Sequence, residues 1–109
     1  MAVVDYQTGK VLGTPEIGAG PDACVFDAKS GLAISSNGRD GTLSLIRTDA
    51  KGNSTLVGTV KTQMGARTMA LDPKTHKIYL IAANFKPATG ENQRPSMEPN
   101  STVILVYAP

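Results

Sequence analysis

Apolar residues in this chain come in short runs, and none repeats at the i, i+3, i+4, i+7 spacing of a helix over a useful length. The runs are rich in β-formers, as in Thr55-Leu56-Val57-Gly58-Thr59-Val60 and Thr102-Val103-Ile104-Leu105-Val106. Clusters of turn-forming residues separate them: Gln7-Thr8-Gly9, Asp27 to Gly31, Asn37 to Gly41, Asp49 to Ser54 and Asp72 to His76. The pattern predicts nine strands, near 3–6, 10–17, 22–27, 32–36, 42–48, 55–62, 67–72, 77–83 and 101–107.

The strands repeat. Gly20-Pro21 to Ser30 aligns with Gly65-Ala66 to Thr75, with Gly, Asp and Lys in register and an apolar residue, Phe26 or Leu71, before each Asp. Asp27 and Asp72 are 45 residues apart. An apolar run ending in Asn follows in each copy (Leu32 to Asn37, Ile78 to Asn84), then a loop and a Thr-led apolar run. The second copy carries an insertion, 86–100, with Pro87, Pro95 and Pro99, expected to be a surface loop. A partial third copy, Val3 to Leu12, opens the chain. A period of this length with four strands per unit is the signature of a β-propeller blade. With strands labelled a to d outward from the axis, the chain reads c-d, a-b-c-d, a-b-c. The expected units are 1–18, the end of a first blade; 19–63, a complete blade; and 64–109, a blade without its outermost strand.

These residues resemble the YVTN-type, or 40-residue, β-propeller repeat. The matching parts are Gly20-Pro21, Phe26-Asp27, Ile34-Ser35-Ser36-Asn37, Thr42 to Ile46, and Val3-Val4-Asp5 with Thr8-Gly9-Lys10-Val11. The resemblance covers nearly the whole chain, and its C-terminal half looks like the last blade of longer members. It implies an all-β partial propeller of antiparallel four-stranded blades, about two and a quarter of them, as a C-terminal fragment would have. Proteins of that kind are typically exported and mostly lack an assigned activity.

Composition sharpens the picture in three places. Gly 11 and Pro 7 of 109 residues exceed the usual share and suit many turns. The longest apolar run, Val103 to Ala108, is far short of the ~20 residues a membrane-spanning helix needs, so no membrane partner is expected. The net charge is only +2 and the basic residues are scattered, without the clustering of a nucleic-acid surface. Asp5 interrupts the apolar core a secretory signal would need, so none is expected within this chain and its compartment stays open.

Candidate chemistry is sparse. One histidine, His76, sits in a tight turn and reads as an exposed turn residue. One cysteine, Cys24, reads as a small buried residue on an inner strand, and one His with one Cys makes no zinc site. No nucleophile elbow or phosphate-cradling loop is present, and no cofactor is expected. Asp22 and Arg67 head equivalent a strands, which in a propeller line the axial channel or its mouth; Asn37, Arg39 and Asp40 in the following loop would reach the same face. They are the candidate ligand site. The competing reading is that Asp22 and Arg67 pair with neighbouring blades and hold the ring together. Asp27 and Asp40 also fit turn-forming aspartates, which bond their own backbone.

Two-and-a-bit blades leave apolar end faces and strand edges without cover. The expectation is a homo-oligomer, with strand 3–6 or 10–17 of one copy completing the last blade of another, unless the chain is a piece of a longer propeller. The expected function is a non-enzymatic interaction and assembly scaffold. The alternative is a ligand-binding or lactonase-like hydrolase propeller with its site on the oligomer axis; fold alone excludes neither.

Overall fold

The computed structural model describes residues 1–90 and 93–109. These residues are all-β, without a helix, and no sheet closes on itself. The chain runs β1 (Val3–Val4), β2 (Val11–Gly13), β3 (Pro21–Asp27), β4 (Leu32–Asn37), β5 (Thr42–Thr48), β6 (Ser54–Lys61), β7 (Met69–Leu71), β8 (Ile78–Ala82), β9 (Phe85–Lys86), β10 (Ser96–Met97) and β11 (Val103–Tyr107). All pairings are antiparallel. The sheets are β1-β2, the four-stranded β3-β4-β5-β6, the three-stranded β7-β8-β11, and the small hairpin β9-β10.

The nine expected strands are all present, with shifted ends. The stretch expected at 10–17 pairs only over Val11–Gly13, because Pro15 has no N–H to give a ladder. Within the insertion, the expected loop contains a hairpin: Phe85 pairs with Met97 and Lys86 with Ser96. Part of the insertion, 91–92, lies outside the described residues.

Aspartate-headed turns set the register. Asp27 accepts from the backbone N–H of Lys29 and Ser30 and from Ser30 Oγ at 2.6 Å, while its carbonyl accepts from Gly31 N at 2.8 Å. Asp72 repeats this 45 residues later, with Lys74 N at 2.9 Å, Thr75 Oγ1 at 2.6 Å and His76 N at 2.8 Å. Gly31 closes the first turn at φ +66 and His76 closes the second at φ 58. That left-handed conformation suits glycine and strains a residue with a side chain. Asp5 and Asp49 anchor the turns after β1 and β5 in the same way.

The core lies between the two larger sheets. Strand alternation turns Ile34, Leu43, Val25 and Leu45 toward Ile78, Leu80, Ala82 and Leu105. Hydrogen bonds tie the same interface together. Ser36 Oγ donates to the Arg67 carbonyl, Gly65 N to the Gly38 carbonyl at 2.7 Å, and Tyr107 OH to the Lys61 carbonyl at 3.3 Å. On the other face of the four-stranded sheet, Ile46 is buried, and Gly18 N donates to Ser44 Oγ at 3.2 Å.

The outermost faces are open and apolar. On the three-stranded sheet Ile81, Ile104 and Val106 point away from the core and are exposed. At the other end Val4 and Phe26 are exposed. The radius of gyration, 15.8 Å, exceeds the about 13 Å of a compact chain this long, as a short, unclosed stack of sheets requires. Cys24 corrects the sequence reading. It is exposed, because alternation puts it with Phe26 on the face of β3 turned away from the second sheet.

Candidate functional site

The five expected site residues separate into four places. Asp22 is exposed on β3 and lines a shallow depression of about 270 Å³ with Met1, Ile17 and Cys24. Asn37 ends β4 and is fully buried. Its Nδ2 donates to Ser44 Oγ at 2.9 Å and Thr42 Oγ1 at 3.1 Å, and its Oδ1 accepts from Ser35 Oγ at 3.1 Å. That leaves the amide engaged in holding strands β4 and β5. Asp40 is exposed, and its carboxylate accepts from Ala19 N at 2.7 Å, fastening the β4–β5 turn to the segment before β3.

Arg39 and Arg67 do come together. Both line an open cleft of about 910 Å³, with Gly38 next to Arg39 in sequence and Gln63, Met64 and Gly65 along one side. The other side comes from residues after β8: Ala83, Asn84, Phe85 and, from the insertion, Arg94, Pro95 and Glu98. Sequence reasoning missed this second side. Arg94 and Glu98 lie in a stretch with no counterpart in the repeat, and only the position of that stretch just after Asn84 hints at their place.

Glycines seat both arginines. A Cβ on Gly38 would lie 2.5 Å from Arg67 Cγ and 3.1 Å from its Nε. Gly38 is not in a left-handed conformation, so the close approach of the Arg67 stem is what requires a glycine there. A Cβ on Gly20 would meet Arg39 Cβ at 2.8 Å and Arg39 N at 2.9 Å. Gly38 is itself fixed from both sides, donating to the Gly20 carbonyl at 2.9 Å and accepting from Gly65 N. The Phe85 ring lies against Gly65, where a Cβ would be 3.6 Å from Phe85 Cε2. Among the lining residues, Gln63 Nε2 donates to Asn84 Oδ1 at 3.2 Å and Glu98 N to the Asn84 carbonyl at 2.8 Å.

Among the described residues the one ion pair lies elsewhere: His76 Nδ1 is 2.9 Å from Asp27 Oδ1. Among the described residues, none of the three cleft arginines has a carboxylate within 4.0 Å. His76 also departs from the exposed turn residue expected. It stays in its turn, but its ring folds back against the Asp27 turn of the four-stranded sheet and is only 17% exposed. Asp27 is held down at about 2, chiefly by the Ser30 hydroxyl and next by His76, against an opposing effect of burial. Ser30, Asp27 and His76 therefore touch, but in the wrong order for nucleophilic catalysis. The hydroxyl donates to the aspartate and not to the histidine that would have to activate it. The cluster is a turn clamp. Among the described residues no three His, Cys, Asp or Glu side chains gather as metal ligands.

No family model, no curated protein and no solved structure matches the chain.

Proposed function

We propose that this chain is a β-propeller-type repeat module whose work is assembly, with a second copy of itself as partner. Two features support the propeller reading. The four-stranded sheet and the three-stranded sheet each run in chain order as antiparallel meanders. Their first turns, headed by Asp27 and Asp72, use the same bonds at the same positions. The aspartates with lowered pKa, Asp5, Asp27, Asp49 and Asp72, all spend their oxygens on turn backbone and neighbouring side chains. That is a structural use of charge, in keeping with a scaffold.

One observation carries the assembly reading: the apolar outer face of the three-stranded sheet. Ile104 is 68% exposed on edge strand β11, beside Ile81 and Val106. The inner face of the same sheet already packs against a four-stranded sheet through Leu80 and Leu105. The outer face offers the same chemistry to the exposed Val4 and Phe26 end of another copy. The unpaired edge of β11 would also accept a strand, such as 3–6 or 10–17, from a neighbour.

Sedimentation equilibrium at micromolar concentration tests this, with Ile104→Lys as comparison. The wild type should show a mass above that of one chain, rising with concentration. Ile104→Lys should be a folded monomer, since the replaced side chain touches solvent and charge on an edge strand blocks pairing. A folded wild-type monomer throughout, or an unchanged mass for the variant, would overturn the proposal.

A further inference from the structure

We infer that the cleft between the β4–β5 turn and the β9–β10 hairpin binds a small organic anion, a carboxylate or phosphate ester on a flat apolar body. Arg39, Arg67 and Arg94 line it, and among the described residues Glu98 is the one carboxylate beside them. A guanidinium group is always charged at neutral pH and presents a planar fork that matches an oxyanion. Three such groups around one concavity repel one another, and a bound oxyanion relieves that repulsion.

The arginines are placed, not merely nearby. Arg67 rests its stem on the bare backbone of Gly38, and its carbonyl is anchored by Ser36 Oγ. Arg39 follows directly and is seated against Gly20. A side chain whose stem is held in this way loses less freedom when it binds. The apolar body of the ligand has its own wall. Phe85 and Met64 are 51% and 70% exposed beside the arginines, and Phe85 is backed by Gly65. Asn84, in the same lining, is tied to Gln63. Charged forks that share one cleft with an exposed aromatic ring fit an anion attached to a ring.

Each wall comes from the same chain, so this site does not depend on assembly. The Ile104→Lys variant should bind as the wild type does, which separates failure of this inference from failure of the assembly reading.

The test is titration with phenyl phosphate, benzoate and inorganic phosphate at low salt, followed by amide chemical shifts. At least one aromatic anion should bind saturably and more tightly than inorganic phosphate, with shifts centred on Gly38, Gly65, Asn84 and Phe85. Arg67→Ala and Arg39→Ala should each weaken that binding about tenfold or more, with an unchanged far-ultraviolet dichroism spectrum. Lys51→Ala, in the distant turn after β5, removes the same charge and should leave affinity unchanged. The inference is overturned by any of three results: no saturable binding by either aromatic anion, arginine variants that bind like the wild type, or an equal loss in Lys51→Ala.

Discussion

His76 Nδ1 lies 2.9 Å from Asp27 Oδ1, 49 residues away in sequence, and joins two turns that occupy matching places 45 residues apart. His76 stands where the first repeat has Gly31. The substitution places an imidazole in a left-handed backbone position, and the ring uses that position to reach the aspartate of the preceding turn. A local strain is thus coupled to a contact between the two sheets.

The backbone and side-chain parts of this arrangement are separable. His76→Ala and His76→Gly both remove the bond to Asp27, but alanine keeps the strained φ of 58 and glycine relaxes it. His76→Gly should therefore be the more stable of the two by about 1 kcal/mol. Urea denaturation midpoints of the two variants provide the comparison. Equal midpoints would mean that the left-handed conformation at this position carries no cost.

Asp27 sets an acid limit on stability. Its folded pKa is about 2, below the ordinary 3.8, because Ser30 and His76 both favour the charged form. A carboxylate depressed in the folded state contributes stability above pH 3.8, and that contribution fades as the pH falls toward 2. Asp27→Asn should be less stable than wild type at neutral pH and lose less on acidification. Its stability profile should be shallower in this window without becoming flat, since Asp5, Asp49 and Asp72 are depressed as well. Denaturation midpoints measured across the window decide it, and parallel profiles would remove Asp27 from the acid response.

Strand β8 gives an internal control for what burial is worth. Leu80 is 1% exposed and its neighbour Ile81 is 48% exposed, on opposite faces of the same sheet. Leu80→Ala should cost about 2–5 kcal/mol, a large part of the ~5–15 kcal/mol holding a small domain together. Ile81→Ala should change the stability of the isolated chain by well under half of that and weaken self-association instead. Thermal denaturation alongside sedimentation distinguishes the two effects.

The sequence carried the strands because alternation and turn residues are local signals. Asp27 to Gly31 and Asp72 to His76 read as turns, and both close with the expected aspartate bonds. Position on a face was harder to read. Cys24 looked like a core residue because its neighbours Ala23 and Val25 are apolar, yet a strand has two faces and only one of them meets the second sheet. His76 looked exposed because its neighbours are charged, and nothing local announces a partner 49 residues away. In the cleft, Arg39 and Arg67 were legible from the repeat. Arg94 and Phe85 were not, because the hairpin that carries part of that wall has only two paired residues on each strand.

Asn37 shows how a polar run can be structural. The run Ser35-Ser36-Asn37 ends strand β4, and all three residues are buried. The Asn37 amide accepts from Ser35 Oγ and donates to Thr42 and Ser44, while Ser44 also receives Gly18 N. Asn37→Ala would strand the Ser35 hydroxyl without its acceptor and remove the donor that Thr42 and Ser44 share, all in a place closed to solvent. Burial of unsatisfied polar groups should cost about 1–3 kcal/mol. The loss should be local as well as global. Amides of Gly18, Thr42 and Ser44 should exchange with solvent faster than in the wild type, by more than the drop in overall stability explains. Hydrogen exchange followed residue by residue makes that comparison. Uniform acceleration across β3 to β6 would show that Asn37 contributes only to the stability of the sheet as a whole and not to the join between the Gly18 segment and strand β5.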